Sequence, residues 1–269
     1  MKIRMIQMDI VRSIQDNYEQ SIQLSIRRSL EDVDVLIFPE MFLTGFYEMK
    51  NIRTRSFKKS SPEIKFFQNL ALKTSTNIIL GSLPLMRTTK SLSKSIQDET
   101  IRNTALVINR SGKIIHDYSK IHLFPLMNEV GNLTSGTRLK VFQIDNFSAA
   151  IIICYDLRFP ELLVNLHRDA SPDIIFVPMQ WPYPRTEVFQ TLLQARAIEN
   201  QCFILGCNRV GEDRSERFEG GSMVISPAGK VIRKLGRRMG SFDVEIDKSQ
   251  IAKERRRFSF LSRHRNFSK

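Results

Sequence analysis

Short apolar runs alternate along the chain with segments whose hydrophobic residues have helical spacing. Residues 33–38 and 174–177 are nearly continuous apolar runs, which predicts strands covered on both faces. In residues 14–30 the apolar side chains recur with amphipathic spacing, which predicts a helix. The other predicted helices are 62–73, 160–168 and 187–200, and the other predicted strands are 2–8, 77–83, 101–109, 113–118, 139–144, 148–154, 202–207, 222–226, 231–235 and 241–246.

Turn-forming residues between some of these strands predict hairpins. Arg110-Ser111-Gly112 and Pro227-Ala228-Gly229-Lys230 each separate two strand-like runs. Strands that alternate with helices and are interspersed with hairpins are typical of an α/β domain with a mixed sheet. The sequence has no Gly-, Pro- or Ser-rich linker and no repeat. We therefore expect one domain over residues 1–250, followed by a basic tail at 251–269.

The composition argues against several classes of protein. Hydrophobic residues make up 42% of the chain, but no apolar run approaches the roughly 20 residues needed to cross a bilayer. Charge interrupts the first hydrophobic residues too early for a secretory signal. Three cysteines are too few for a disulfide framework, so we expect a reducing cytoplasm and structural roles for Cys202 and Cys207. The four histidines have no metal-binding spacing and no Gly-rich phosphate loop is present, so we expect neither a metal nor a cofactor.

The net charge of +13 requires an explanation. Lys and Arg concentrate in residues 53–59, 233–238 and 253–269. A basic surface can serve nucleic acid, an anionic membrane or an acidic substrate. No nucleic-acid motif accompanies the charge, so solvated faces are the simpler interpretation. An anion- or nucleic-acid-binding protein stays open as an alternative of another class.

Three predicted strands end in a side chain that can do chemistry. Glu40 follows Phe38-Pro39, Lys120 follows the strand at 113–118, and Cys154 follows three isoleucines. In α/β sheets ligands bind outside the strand ends. The sequence therefore predicts that a carboxylate, an amine and a thiol meet at one place.

These three groups fit nucleophilic catalysis. A thiol is a good nucleophile only as the thiolate, so it needs a nearby base or positive charge. Glu40 could accept the proton of Cys154 and later activate water, while Lys120 could stabilise an oxyanion together with the backbone N–H of Tyr155. Each residue taken alone also has an ordinary structural interpretation, as a buried small hydrophobe, a loop acid and a surface lysine.

The residues around these three positions resemble the nitrilase-like carbon–nitrogen hydrolase family. Residues 38–46 (FPEMFLTGF), 118–124 (YSKIHLF) and 154–162 (CYDLRFPEL) are similar to its glutamate, lysine and cysteine motifs, in the family's order. The similarity continues through Asn103-Thr104-Ala105, Gln180-Trp181-Pro182 and residues 195–201, 206–211 and 221–222.

The resemblance implies a fold, an assembly and a set of site residues. The implied fold is a four-layer α-β-β-α sandwich that forms a homodimer or a higher homo-oligomer. The implied catalytic residues are Glu40, Lys120, Cys154 and a second glutamate, Glu129, which positions the substrate and Lys120. Candidates for substrate contact are Phe46, Phe124, Tyr155 and Trp181, with Arg185 as a candidate for binding a substrate carboxylate. We expect structural ion pairs for Arg158 and for Arg196 with Glu199.

Within the family, the sequence most resembles the ω-amidase-like branch. Such enzymes release ammonia from the terminal amide of a small carboxylate-bearing substrate, such as 2-oxoglutaramate or succinamate. Phe189 stands where close relatives often have Trp, which is a departure from the pattern of that branch. Tyr155 replaces the Trp that often follows the cysteine of true nitrilases, which argues against nitrile hydrolysis. An N-carbamoyl amino acid amidohydrolase is the alternative within the family. A catalytically silent member would lack Glu40, Lys120 or Cys154, and this chain has all three.

Overall fold

The apolar runs of the sequence form strands that are buried on both faces, and helices with one apolar side cover them. The computed structural model describes residues 1–90, 97–169, 171–213 and 216–259. The helices are α1 (Ile14–Ile26), α2 (Pro62–Thr74), α3 (Glu161–Asp169), α4 (Thr186–Asn200) and α5 (Lys248–Arg257). Shorter 3-10 turns lie at Met49–Arg55, Pro125–Met127 and Cys154–Arg158.

The strands form two large sheets and a small hairpin. The first sheet has the order β14-β1-β2-β3-β4-β5 and the second the order β13-β12-β9-β8-β7-β6, with β10-β11 as a separate pair. Both sheets are mixed: β1-β2-β3 and β7-β8-β9 run parallel, and the outer strands are antiparallel. The strands are β1 (Lys2–Gln7), β2 (Val35–Ile37), β3 (Asn77–Lys90), β4 (Gln97–Ile108), β5 (Ile114–Ser119), β6 (Phe142–Ile144), β7 (Phe147–Ile151), β8 (Ile174–Pro178), β9 (Phe203–Cys207), β10 (Val210–Asp213), β11 (Glu216–Glu219), β12 (Met223–Ile225), β13 (Val231–Lys234) and β14 (Gly240–Glu245).

The two large sheets pack face to face between two helical layers. The largest apolar cluster joins residues of the first sheet, such as Ile37 and Val107, to residues of the second, such as Ile151 and Phe176. A second cluster seals α1 and α2 onto the outer face of the first sheet, while α3 and α4 join the large cluster from the other side. This arrangement confirms the predicted four-layer α-β-β-α sandwich. No helix among the described residues has the length and apolar character needed to cross a bilayer.

Strand β3 differs from its predicted end at residue 83. It continues through Pro84 to Lys90 and pairs with β4, with an irregularity between Leu80 and Leu83. Proline is tolerated because the carbonyl of Pro84 accepts from the N–H of Phe57. Because the nitrogen and the carbonyl of one strand residue point to the same side, the ring nitrogen of Pro84 also faces Phe57. The missing N–H therefore removes no hydrogen bond to β4.

Several other elements are shorter than their predicted ranges, three of them by at least three residues at one end. The first helix ends at Ile26 rather than at residue 30, and β6 begins at Phe142 rather than at residue 139. Strand β7 ends at Ile151, so Cys154 lies in a 3-10 turn and not in the strand predicted to reach it. In the first and third cases an apolar residue beyond the element, Leu30 or Ile153, is still buried. The apolar pattern follows burial, so it continues beyond the last residue of the regular helix or strand.

The pattern did not predict the hairpin β10-β11 or helix α5. The hairpin is short and rich in charge, which hides the alternation expected of a strand. Helix α5 begins where the side chain of Asp247 accepts from the N–H of Ser249, and it ends in Arg255-Arg256-Arg257. An acidic cap and basic last turn suit a helix dipole, although only Ile251 of this helix is buried.

Candidate active site

The three predicted catalytic side chains come from different strand ends and meet where the two sheets face each other. Glu40 follows β2 and Lys120 follows β5 in the first sheet, while Cys154 follows β7 in the second. The Glu40 and Lys120 side chains are 0% and 1% exposed. Charged groups are buried in this way only when they are paired. The fold therefore brings the three groups together, as the strand-end argument predicts.

Lys120 is held between two carboxylates. Its Nζ lies 2.8 Å from Oε1 of Glu40 and 2.6 Å from Oε2 of Glu129. The backbone N–H of Phe124 also donates to Oε2 of Glu129, at 2.7 Å. The sequence assigns Glu129 only through the family resemblance, and the structure places its side chain within the cluster.

Asn103 joins the two carboxylates from the other side. Its Nδ2 donates to Oε1 of Glu40 at 2.9 Å and to Oε1 of Glu129 at 2.7 Å. The sequence singled out Asn103 only as part of a family match and assigned it no role. It lies within β4, away from any strand end, so the rule that located the other three residues does not apply to it.

Gln180 fixes Glu40 toward the second sheet. Its backbone N–H donates to Oε2 of Glu40 at 3.0 Å, and its side-chain Nε2 donates to the carbonyl of Glu40 at 2.7 Å. Gln180 follows the end of β8, so the strand-end rule could have located it. These contacts leave the carboxylate of Glu40 with one fixed orientation.

Burial and mutual charge shift the pKa values of the three groups. Burial raises the pKa of Glu40, and the negative charge of Glu129 raises it further. The ammonium of Lys120 lowers this pKa but does not cancel the rise. Burial opposes the ammonium of Lys120, but the charges of Glu129 and Glu40 outweigh it and raise its pKa. Burial and the charge of Glu40 raise the pKa of the Cys154 thiol. The resting state therefore holds a charged Lys120 beside a protonated thiol.

Cys154 occupies a strained turn. Its φ of +45° lies in the left-handed region, which is unfavourable for a side chain with a Cβ. Asp156 holds this turn: its Oδ2 accepts from the N–H of Ile153 at 3.1 Å and from the hydroxyl of Tyr118 at 2.7 Å. Its Oδ1 accepts from the backbone N–H of His122 at 2.8 Å. The cysteine turn is thereby tied to the loop that carries Lys120.

A cleft of about 290 Å³, counted to its open mouth, leads to Cys154. Of the candidates for substrate contact, Phe124, Tyr155 and Trp181 line this cleft, with the rings of Phe124 and Tyr155 4.9 Å apart. Phe46 is not among the residues that line this cleft: it is 2% exposed, and its ring centre lies 5.9 Å from Nζ of Lys120. Phe46 therefore packs against the lysine.

Two arginines lie in the same cleft. Arg185 lines it but also pairs with Glu216, at 3.3 Å. Arg158 lines it as well, with its guanidinium 4.8 Å from the ring centre of Trp181. Among the described residues no carboxylate pairs with Arg158, so the expected structural ion pair is not seen within that part of the chain. The expected pair of Arg196 with Glu199 is present at 2.9 Å, and Arg196 also donates to the carbonyl of Leu157, beside the cysteine turn.

Within the described ranges, no group of three or more His, Cys, Asp or Glu side chains is arranged to hold a metal ion. The cluster of Glu40, Lys120 and Cys154 can carry out proton transfer and nucleophilic attack with its own side chains.

Comparison with known proteins identifies the family of this chain. The sequence profile of the family described as "Carbon-nitrogen hydrolase" matches residues 2–256 of this chain. The chain belongs to the carbon–nitrogen hydrolase family. This membership confirms the resemblance drawn from the three motifs, and it makes the protein an enzyme.

Two relatives and one solved structure are similar over most of the chain. A 2-oxoglutaramate amidase of Bacillus subtilis is 31% identical over 253 residues, covering 94% of this chain and 93% of that protein. An omega-amidase of Escherichia coli (strain K12) is 29% identical over 236 residues, covering 86% and 85%. A CN-hydrolase superfamily protein from Xanthomonas campestris has a TM-score of 0.85 at 24% identity, covering 100% of this chain and 98% of that one, which supports the fold.

Proposed function

We propose that this carbon–nitrogen hydrolase is an amidase of the ω-amidase type. It releases ammonia from the terminal amide of a small carboxylate-bearing substrate, such as 2-oxoglutaramate, through a thioester on Cys154. The observation that carries the proposal is the buried Glu40–Lys120–Glu129 chain beside a thiol, at the base of a cleft that also holds arginine. The relatives named for 2-oxoglutaramate and ω-amides support the substrate class.

The first half-reaction forms the thioester. Glu40 takes the proton of the Cys154 thiol as the sulfur attacks the amide carbon, so the thiolate need not accumulate at its raised pKa. Negative charge then develops on the amide oxygen, where the ammonium of Lys120 and the N–H of Tyr155 stabilise it. Glu40 returns the proton to the amide nitrogen, the carbon–nitrogen bond breaks, and ammonia leaves.

The second half-reaction hydrolyses the thioester. Glu40, again ionised, takes a proton from a water molecule that attacks the thioester carbon. The carbon–sulfur bond breaks, and the proton held by Glu40 returns to the sulfur. The carboxylic acid leaves, and the enzyme regains its resting thiol. Asn103 and Gln180 keep the carboxylate of Glu40 oriented through both steps.

We assign recognition of the substrate carboxylate to Arg158 in preference to Arg185. Arg185 already pairs with Glu216, whereas Arg158 has no carboxylate partner in the described ranges and stacks on Trp181. The indole Nε1 of Trp181, beside the same cleft, is buried without an acceptor among the described residues. An arginine fork can bind a carboxylate through two hydrogen bonds.

Ammonia release from a substrate panel tests the proposal. We expect 2-oxoglutaramate and succinamate to be hydrolysed faster than neutral amides, N-carbamoyl amino acids and nitriles. Cys154→Ala should abolish turnover, whereas the matched variant Cys202→Ala removes a buried thiol outside the site and should retain it. Equal rates for carboxylate-bearing and neutral amides would exclude the ω-amidase assignment, and turnover by Cys154→Ala would exclude the thioester.

We also propose a homodimer in a reducing cytoplasm. Exposed apolar side chains lie on α4 and on β13, including Val188, Ile198, Val231 and Ile232, and a second copy could cover them. All three cysteines are free thiols. Sedimentation analysis of the purified chain tests the dimer, and a purely monomeric species at micromolar concentration would contradict it.

A further inference from the structure

A second, strongly basic cleft lies on the first sheet, apart from the active site. It has a volume of about 920 Å³ counted to its open mouth, and it shares none of its lining residues with the cleft at Cys154. Strand β5 forms one wall, Arg87 of β3 and Arg102 of β4 form another, and residues 136–140 form the third. Five cationic side chains line it, namely Lys59, Arg87, Arg102, Arg138 and Lys140.

The charge of this basic cleft is not neutralised by the protein. Its only carboxylate among the described residues is Asp117, which already binds Lys59 at 2.6 Å and also pairs with Arg87. No carboxylate in the described part of the chain pairs with Arg102, Arg138 or Lys140. Burial and the charge of Arg87 lower the pKa of Arg102, which indicates cations placed close together.

Hydrogen-bonding groups in the same cleft also lack partners. Nε of Arg87, Nε of Arg102 and Nε2 of His116 are buried nitrogens without an acceptor or donor among the described residues. Buried polar nitrogens normally have partners, so three such atoms on side chains that line one cleft fit a ligand rich in acceptors. Guanidinium groups bind phosphate and carboxylate oxygens with paired hydrogen bonds.

We propose that this basic cleft binds a compact small molecule that carries several phosphate or carboxylate groups. The cationic groups surround one cleft bounded by a sheet edge, which suits a compact anion with charges on several sides. The cleft also has a direct structural link to the active site. Ser119 and Gly136 line it, and the N–H of Gly136 donates to the carbonyl of Lys120 at 2.7 Å.

Titration calorimetry on the full chain at low ionic strength tests the proposal with two probes, inorganic tripolyphosphate and citrate. We expect saturable binding of at least one, and the tighter probe identifies the anion class. The triple variant Arg102→Gln/Arg138→Gln/Lys140→Gln should weaken that binding roughly tenfold or more, since it removes three charge-assisted contacts. If the triple variant does not fold, Arg138→Gln/Lys140→Gln alters two exposed side chains and should still weaken binding.

The matched control removes the same charge elsewhere. Arg27→Gln/Lys73→Gln/Lys230→Gln changes three exposed cations outside the cleft and should bind the probes as the natural sequence does. Equal weakening in both triple variants would mean diffuse attraction to a basic protein and would overturn the proposal. It would also be overturned if neither probe binds. Loss of ammonia release leaves this test unaffected, so the two proposals fail independently.

Discussion

Replacing Asp156 with alanine removes the carboxylate that holds the cysteine turn to the lysine loop. Two of its donors are deeply buried: the N–H of Ile153, in a residue that is 0% exposed, and the hydroxyl of Tyr118, at 1%. Each buried donor left without an acceptor costs about 1–3 kcal/mol. His122, whose side chain is 26% exposed, can bond to water instead and adds about 1 kcal/mol or less. We therefore expect a loss of about 4 kcal/mol in the free energy of unfolding.

Urea unfolding followed by circular dichroism measures this loss. Asp16→Ala is a matched control, because Asp16 is an exposed aspartate in the first turn of α1 and should contribute about 0.5 kcal/mol or less. The folded fraction of Asp156→Ala should also have a lower kcat, since the turn no longer holds Cys154 at its strained φ. A loss below about 1 kcal/mol would refute the reasoning, because it would mean that these three contacts of Asp156 contribute almost nothing to the fold.

Three further predictions concern Glu40 and the backbone beneath it. Glu40→Gln should reduce ammonia release to background while leaving the thiol reactive toward an alkylating reagent, and turnover near the natural rate would show that Glu40 is not the base. Only ionised Glu40 accepts a proton, and burial raises its pKa above the ordinary 4.5. We therefore expect kcat/KM to fall as the pH drops through that raised pKa. A pH profile whose acid limb lies at or below pH 4.5 would contradict this. Gly81→Ala would place a Cβ 2.0 Å from the carbonyl oxygen of Phe38 and should cost about 3 kcal/mol or more in thermal unfolding. Gly236→Ala meets nothing within 4 Å and should change stability little; equal effects would refute the steric argument.

Much of the fold could be predicted because burial on both faces produces long apolar runs. Residues 33–38, 148–154 and 174–177 gave strands in the core of the sandwich, although the regular backbone is shorter than the first two runs. Strands β10 and β11 are short and consist mostly of charged residues, so no hydrophobic pattern marks them. The irregularity in β3 depends on the close approach of Gly81 to residues 38–39, which is a tertiary contact.

The candidate site likewise contains residues that could be predicted from the sequence and residues that could not. Glu40, Lys120 and Cys154 lie at strand ends, where topology alone brings side chains together. Asn103 is positioned by pairing within the first sheet, and its role depends on where two carboxylates from other segments come to lie. The sequence analysis expects an ion pair for Arg158 and carboxylate binding for Arg185. It could not foresee that Arg185 pairs with Glu216, because Glu216 lies on a hairpin that the pattern does not predict.

The division of the active site between the two sheets has a consequence for how activity arises during synthesis. The segment that emerges first carries Glu40, Lys120 and Glu129, while the nucleophile arrives with the later half and the first sheet is completed only by β14. A nascent or truncated chain that ends before residue 154 thus lacks the nucleophile, Gln180 and the strand that completes the first sheet, and it has no catalytic power. Turnover begins only when the second sheet docks, so ammonia release reports the joining of the two halves and not the formation of either one.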